Sequence, residues 1–233
     1  MTKNLNAGSL RRILRWLWEE HGAPKLDHQV RRYPSIRPRS VTVERSLLDK
    51  ALAVCPSHVR LWLLLCSDLA LRAATAAAIG PEHYHATDGT IRFTTKKQAK
   101  LTLPLTAEIQ TIFDTCDQNS RLSFVRQVWI KEHPYYYRRM DLSPLHMTMT
   151  LRSQMHRSMA AAGITQRIRP HDLRRTAAIA MLDHTHDIRD VQALLGHRNL
   201  PSTLWYLDHD IRPISRTTLE LLKRPHERKD RTA

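Results

Sequence analysis

The chain has 233 residues, of which 42% are hydrophobic and 25% are charged. This length and composition support one well-formed core and exclude a chain that is disordered throughout. The formal net charge of +15 and the isoelectric point near 10.4 favour a polyanionic partner. The charge is concentrated at the ends, because residues 1–45 carry ten Lys/Arg against four Asp/Glu and residues 211–233 carry seven against three. Basic chain ends of this kind favour binding along a phosphate backbone. The alternative is a soluble basic protein without a polyanionic partner.

The three cysteines predict neither a disulfide framework nor a zinc site, because their number is odd and no C-x-x-C spacing occurs. We therefore expect no metal or cofactor and a reducing, cytoplasmic compartment, associated with the nucleoid if the source is prokaryotic. The N-terminus has no continuous apolar segment of the signal-peptide type. The most apolar stretch, residues 61–79, includes Asp68 and Arg72. These charges favour a buried helix over a membrane span, so no membrane partner is predicted.

Residues 9–21 show the spacing of a short amphipathic helix that ends at Gly22, and the prolines and arginines that follow predict an extended basic linker over 23–39. Two runs of β-formers, 90–95 and 100–105, predict a hairpin, and residues 122–130 favour a strand. Further helices are predicted over 43–54, 58–71, 73–79, 106–116, 145–162, 170–184 and 188–195, with a short one from Pro201. The fold class expected is mainly α with a small β-hairpin or three-stranded sheet, an α+β fold. The domains expected are 1–41, 42–210 and a basic tail over 211–233.

The predicted helix after Pro170 carries His171 and Arg174, which are three residues apart and therefore share a face. Leu173, Ala177 and Ala180 are predicted to form its apolar stripe on roughly the opposite side. An arginine presents a fork of donors that matches two phosphate oxygens, and a histidine donates or accepts near neutral pH. Standing alone, this pair describes an ordinary solvated helix face.

A second group follows downstream, where His197 comes directly after Gly196 and Tyr206 lies nine residues further on. Alone, His197 suits a capping or solvent-exposed histidine, and Tyr206 suits a core tyrosine with a bonded hydroxyl. The joint spacing is more specific, because 23 residues separate Arg174 from His197 and Leu194-Leu195-Gly196 precedes the histidine. The order of these residues predicts chemistry on a phosphodiester.

This order resembles the signature of the tyrosine recombinase (phage integrase) family. The resemblance extends upstream to Arg72, at the end of the apolar run 63–72, and to Lys96 on the predicted hairpin turn, with Lys97 as its competitor. The alternatives for Arg72 are exposure at the surface or an ion pair with Asp68. For Lys96, the alternative is an ordinary exposed lysine.

The family mechanism implied by the resemblance needs no metal, cofactor or ATP. Arg72 and Arg174 would hold the non-bridging phosphate oxygens, and His197 would donate a further hydrogen bond. His171 would be a hydrogen-bonding or proton-accepting group, and Lys96 would protonate the leaving 5′-hydroxyl. The Tyr206 hydroxyl would attack phosphorus and form a 3′-phosphotyrosyl bond. The implied partners are double-stranded DNA and further copies of the chain, as a dimer or tetramer on DNA.

The resemblance covers residues 42–210, and the helix at 9–21 resembles the last helix of the family's N-terminal core-binding domain. Ala70 and Thr75 stand where the family commonly has glycine and an acidic residue. These departures keep open a catalytically impaired DNA-binding protein derived from a recombinase, and a type IB topoisomerase is a second alternative. The predicted helix at 218–222 is of the kind that packs on a neighbouring protomer in this family.

Overall fold

The computed structural model describes residues 2–30, 41–95, 100–134 and 144–207, without the side chains of residues 2–6, 144–145 and 205–206. The chain forms two compact units, Met1–Ser40 and Val41–Ala233. Within the described residues, no helix is both long and apolar enough to cross a membrane.

The first unit contains helix α1 (Thr2–His21), which begins earlier than the sequence predicts. It ends where predicted, because Gly22 takes a left-handed backbone with φ of 64°. A 3₁₀ turn at Asp27–Gln29 then interrupts the predicted extended linker. The Arg15 guanidinium pairs with the Asp27 carboxylate at 3.2 Å and holds this turn beside the helix. The remainder of the predicted linker, residues 31–39, lies outside the described residues.

The second unit is mainly helical with one small antiparallel sheet, which confirms the predicted fold class. Its strands are β1 (Tyr84–His85), β2 (Thr90–Thr94) and β3 (Lys100–Pro104). Its helices are α2 (Arg45–Val54), α3 (Ser57–Ser67), α4 (Ala73–Ala78), α5 (Ala107–Asp114), α6 (Phe124–Glu132), α7 (Pro144–Ala161), α8 (Pro170–Thr185), α9 (Ile188–Leu195) and α10 (Leu200–Leu207).

The predicted hairpin is confirmed as β2 and β3, which pair with Thr90 opposite Pro104 and Thr94 opposite Lys100. The short strand β1 adds to the other edge of β2, so the sheet order is β1-β2-β3. The hairpin turn at residues 96–99 lies outside the described residues. The register nevertheless directs the connection between β2 and β3 to the end of the sheet at Thr94.

Helix α3 forms the centre of the core, and every residue from Leu61 to Cys66 is fully buried. It packs against α4, α5, α6, α7 and α8, and this burial on all sides explains why residues 61–66 are apolar without interruption. The Trp62 indole donates a hydrogen bond to the Ala73 carbonyl at 2.9 Å. Helix α3 therefore also holds the start of α4 in place.

The apolar stretch 61–79 is not continuous helix, and the predicted helix over 58–71 is too long. Helix α3 ends at Ser67, and the chain turns through Ala70, whose φ is 50°, before α4 begins at Ala73. The Leu71 N–H donates back to the Leu65 carbonyl at 3.1 Å. Hydropathy alone does not reveal this break because both sides of it are buried.

The strand favoured over 122–130 is wrong, because this segment forms helix α6. The Ser123 hydroxyl caps the helix by accepting the Arg126 N–H at 3.4 Å. Phe124, Val125 and Val128 are buried with their neighbours in the main core. An apolar run of this length suits a buried strand and a buried helix equally well, and packing decides between them.

Candidate active site

Helix α8 does not divide its faces as the sequence predicts. Arg174 is 3% exposed and lies among buried residues, whereas Ala180 of the predicted apolar stripe is exposed. Arg174 donates through Nη1 to the Ala70 carbonyl and through Nη2 to the Leu195 carbonyl at 2.8 Å. Its guanidinium therefore bonds to the turn before α4 and to the end of α9. His171, in the first turn of the same helix, stays exposed.

Arg72 lies at the N-terminal boundary of α4 and is exposed, rather than closing a long apolar helix. Asp68, the alternative ion-pair partner, instead accepts hydrogen bonds from Arg45 at 3.0 Å and from the Ser67 hydroxyl at 2.7 Å. Among the described residues, the Arg72 side chain forms no hydrogen bond or ion pair. The turn before it includes Ala70, which takes a left-handed backbone at a position where the resemblance leads us to expect glycine.

The imidazole of His171 is surrounded by positive charge. Partial burial removes water from the ring and lowers the pKa of His171 below 6.5. The charges of Arg174, Arg72 and Arg175 lower this pKa further, and the charge of Asp172 opposes the effect. The neutral form of the ring therefore predominates at pH 7. Because charges act over a limited range, this effect also places Arg72 within electrostatic reach of His171.

Helix α9 ends at Gly196 as predicted, with a left-handed φ of 59°, and His197 follows at the reversal of the chain. The His197 N–H donates to the Gln192 carbonyl at 3.1 Å, and the Gln192 side-chain amide donates to the His197 carbonyl at 2.9 Å. The ring nitrogen Nδ1 lies 3.1 Å from the Thr203 hydroxyl. Backbone and ring of this half-buried histidine are thus both held.

A cavity of about 470 Å³ brings three of the predicted segments together. Arg72 lines it beside the end of β2, represented by Thr94 and Thr95, and beside Gly196. Lys96 follows Thr95 directly in sequence but lies outside the described residues, as does its competitor Lys97. The structure therefore brings the neighbours of Lys96 and His197 to Arg72, while the position of the lysine stays a prediction.

Tyr206 belongs to α10, a helix that packs against α8 and α9. The backbone of Tyr206 is described, but its side chain lies outside the described part of the chain. On the same helix, Thr203 and Leu207 are buried, and Leu207 packs with Ala70 and Leu195 in a second small core. The helix of the predicted nucleophile is therefore anchored to the two segments that Arg174 also contacts.

Another histidine cluster, formed by His58, Glu132 and His133, has ligand atoms within 4.8 Å of one another. The buried His58 ring already bonds through Nδ1 to the Glu132 carboxylate and through Nε2 to the Gln154 side chain at 2.8 Å. Glu132 also accepts the Ser57 N–H at 2.7 Å. Because both ring nitrogens are engaged with protein groups, we interpret the cluster as a link between α3, α6 and α7.

The site has a positive electrostatic character that suits an anion. Arg72, Arg174 and Arg175 lie close enough to His171 for all three to affect its pKa. The acid that opposes them, Asp172, is buried, and its carboxylate accepts the Arg169 N–H at 2.9 Å, which caps α8. Such an arrangement stabilises a group whose negative charge increases during reaction, because the cations are already in place.

Sequence reasoning missed several residues that shape the site. Thr203 contacts His197, Arg175 is buried beside Arg174, and Ala70 adopts the left-handed turn. A hydroxyl residue three positions before Tyr206, among the mostly apolar residues of that helix, was an available signal for Thr203. The glycine that the family commonly has at the position of Ala70 was a signal for the left-handed turn. The environment of Arg175 depends on contacts distant in sequence and left no such signal.

With this geometry established, comparison with known proteins identifies the family. The sequence profile described as the phage integrase family matches residues 43–212, which is most of the chain. The chain belongs to the phage integrase family. The match begins just after the start of the second unit and includes Arg72, Lys96, His171, Arg174, His197 and Tyr206.

Individual relatives match shorter stretches. Tyrosine recombinase XerC 1 of Ralstonia nicotianae is 36% identical over 66 residues, which are 28% of this chain and 20% of the relative. An integrase/recombinase of Escherichia coli is 42% identical over 57 residues, or 24% of this chain and 17% of the relative. Tyrosine recombinase XerC of Lactobacillus delbrueckii subsp. bulgaricus is 49% identical over 45 residues, or 19% and 15%. The chain thus spans a fifth or less of the length of these relatives.

Solved structures share the fold at low sequence identity. A lambda integrase(75-356) dimer bound to a COC′ core site superposes with a TM-score of 0.62 at 16% identity, covering 91% of this chain and 75% of the other. The catalytic domain of bacteriophage HP1 integrase gives a TM-score of 0.53 at 17% identity and covers 81% and 98%. The integrase from mycobacterium phage Brujita gives 0.53 at 20% identity and covers 94% and 76%.

Proposed function

We propose that this chain cleaves and rejoins DNA strands at specific sites through a covalent 3′-phosphotyrosyl intermediate on Tyr206. The observation that carries the proposal is the convergence of separate segments on one positively charged site. Arg174 bonds to the turn before Arg72 and to the helix end before His197. The helix of Tyr206 packs on α9, and its Leu207 lies in one apolar cluster with Leu195 at the end of α9. Membership of the phage integrase family supports the same chemistry.

In the proposed reaction, the cations stabilise the phosphodiester as charge accumulates on its non-bridging oxygens. Arg72 is available for this role because it is exposed and forms no ion pair within the described residues. Arg174 is buried and bonds to the carbonyls of Ala70 and Leu195. It would therefore add positive charge beside the phosphate while it holds these two segments together.

The protons in this reaction need two different groups. Free tyrosine has a pKa of about 10, so attack by Tyr206 at neutral pH needs a proton acceptor or strong electrostatic help. His171 suits the first role because its lowered pKa keeps the ring neutral at pH 7. Lys96 would protonate the leaving 5′-hydroxyl, and His197 would donate to a non-bridging oxygen. The covalent link conserves the bond energy, so a 5′-hydroxyl can reverse the step without a metal or ATP.

The proposed partners are double-stranded DNA and further copies of this chain. The net charge of +15 favours the first, since each phosphate that the protein neutralises releases counterions. The second follows the lambda integrase structures, which are a dimer bound to a COC′ core site and a tetramer bound to a Holliday junction. We propose that this chain likewise assembles on DNA.

Covalent trapping tests the reaction. The substrate is a pool of randomised duplexes that carry a nick and a 5′ label. Cleavage close to the nick releases a short fragment that bears the new 5′-hydroxyl, so the strand cannot be rejoined. The labelled strand then stays joined to the protein through its 3′-phosphate. The native chain should give an adduct that resists SDS, and Tyr206→Phe should give none. Tyr84→Phe is the matched control, because the Tyr84 hydroxyl bonds to Asp114 at 2.6 Å, away from the proposed site. No adduct with the native chain, or the same adduct with Tyr206→Phe, would show that the proposal is wrong.

A further inference from the structure

His197 is held by a residue of the nucleophile's own helix. Its Nδ1 lies 3.1 Å from the Thr203 hydroxyl, and Thr203 is completely buried. Thr203 stands three residues before Tyr206 in α10. The contact therefore joins His197, the predicted hydrogen-bond donor to the phosphate, to the helix that carries the predicted nucleophile.

The direction of this hydrogen bond follows from the threonine's single proton. A buried hydroxyl requires an acceptor, because leaving its proton unbonded costs free energy. Three other helical threonines, Thr111, Thr176 and Thr185, donate to the carbonyl four residues earlier at 2.8, 2.9 and 3.0 Å. Throughout the part of the chain that the structure describes, Thr203 has no bond of this kind, and its hydroxyl bonds only to His197.

The Thr203 proton is therefore directed at Nδ1 of His197, which acts as the acceptor. In a neutral imidazole one nitrogen accepts and the other carries the proton, so an accepting Nδ1 leaves the proton on Nε2. The opposite tautomer would place two protons between Nδ1 and the hydroxyl, or force the buried hydroxyl to lose its acceptor. The contact thus selects between the two forms of the ring.

We propose that Thr203 is a positioning residue that keeps His197 in the Nε2–H form and couples its orientation to the docking of α10. This inference rests on the proposed strand transfer, in which His197 donates to a non-bridging oxygen. A donor must be present at the position where charge develops, and a ring in the other form presents a lone pair there instead. Movement of α10 would release the ring and Tyr206 together, so the site would be complete only when the helix is docked.

The tautomer of His197 is measured on the native protein without DNA. Long-range ¹H–¹⁵N spectra distinguish a protonated from an unprotonated ring nitrogen, and loss of one signal set in His197→Ala assigns the residue. We expect Nδ1 of His197 to be unprotonated and Nε2 to carry the proton. A proton on Nδ1 in the neutral ring would overturn the proposal, whether or not the chain forms a covalent adduct.

Two substitutions test the functional coupling. Thr203→Val keeps the side-chain shape but removes the donor, and we expect adduct formation to slow by about 10- to 100-fold, the scale of a misplaced catalytic group. Thr203→Ser restores the hydroxyl and should recover most of the rate. Thr111→Val is the matched control, because it removes an exposed helical hydroxyl outside the site and should leave the rate unchanged.

The outcomes separate this inference from the proposed function. Equal rates for Thr203→Val and the native chain, or no recovery by Thr203→Ser while both variants show the native unfolding midpoint, would overturn the positioning role. If the native chain forms no adduct, strand transfer fails, and the spectra still decide which nitrogen of His197 carries the proton. If Thr203→Val does not fold, the native spectrum and the serine variant decide the question.

Discussion

The environment of each charged side chain decides what it contributes to this site. Arg174 is almost fully buried and bonds to two backbone carbonyls, so it links segments that are far apart in sequence. Arg72 is exposed and, within the described residues, has no hydrogen bond or ion pair. Two arginines that the sequence presents as equivalent therefore have different environments, one buried and bonded to backbone carbonyls and one exposed beside the cavity. His171 responds to both through its pKa.

The titration of His171 provides a test at the residue scale. Arg72→Gln removes one of the positive charges that lower the pKa of His171, so we expect that pKa to rise toward 6.5. The rise should be partial, because loss of hydration is the larger cause and remains. The lowered pKa means that native His171 takes up its proton at a lower pH than an ordinary histidine does. An NMR titration of the ring measures the midpoint in both proteins.

Arg60→Gln is the control for this titration, since Arg60 pairs with Glu108 at 2.6 Å and is not among the charges that affect His171. It should leave the midpoint unchanged. A midpoint that is unchanged or lower in Arg72→Gln would contradict the electrostatic effect of Arg72 on His171.

At the scale of elements, the end of α9 and the β2–β3 hairpin approach closely at one glycine. A Cβ on Gly196 would lie 2.7 Å from Cδ1 of Leu101 and 3.3 Å from Cγ2 of Thr95. The left-handed φ of 59° also disfavours any side chain there. Gly196 directly precedes His197. Because it has no side chain, it allows the hairpin that leads to Lys96 to pack against this end of α9. The hairpin and α9 form one wall of the site for this reason.

We expect Gly196→Ala to lower the free energy of unfolding by more than the roughly 1–2 kcal/mol of left-handed strain alone. Gly163→Ala is a matched control, because Gly163 also has a positive φ, 72°, but a Cβ there would meet no atom within 4 Å. Urea unfolding compares the two variants, and covalent trapping should show a loss of adduct for Gly196→Ala only. Equal destabilisation and equal trapping would mean that the contact with the hairpin is unimportant.

The whole molecule consists of a strongly basic first unit and a larger second unit. Residues 1–40 form a compact unit of their own, with nine Lys/Arg against three Asp/Glu. Helix α1 leaves Leu10, Ile13 and Trp16 about half exposed. The second unit contains the main core, the second core and the described parts of the candidate site. Stability should therefore depend on the second unit, whereas residues 1–40 should add to the proposed DNA affinity through their positive charge.

Deletion of residues 1–40 tests this division. We expect the remaining chain to keep its helical circular dichroism and its unfolding midpoint, because the second unit has its own core. Its binding to duplex DNA should weaken and depend less on salt, with the slope reduced by about 0.9 for each phosphate that the deleted segment neutralises in the full chain. Fluorescence anisotropy across a salt series measures the slope. A deleted chain that unfolds, or one that binds with an unchanged slope, would contradict the expectation.

Much of the fold was predictable because its signals are local. Asp187 caps α9 by accepting the Arg189 N–H at 2.7 Å, and Gly196 ends that helix, as the sequence predicts. Helices α2, α5, α7 and α8 and the hairpin were also predicted to within a few residues. Helix α6 was not, because its apolar run suits a strand as well as a buried helix. The faces of α8 were wrong because a buried arginine breaks the polar-outside pattern.

The sequence by itself determined the order of the elements, their capping residues and the spacing that relates Arg174, His197 and Tyr206 to the phage integrase family. Only the tertiary structure decided that Arg174 is buried against Ala70 and Leu195, that Gly196 meets the hairpin, and that Thr203 bonds to His197. Caps and turns depend on neighbours a few residues away, so they can be predicted from a sequence. The bonds of Arg174 reach residues 104 and 21 positions away, and they exist only because the packing of α3, α8 and α9 brings those carbonyls to one guanidinium.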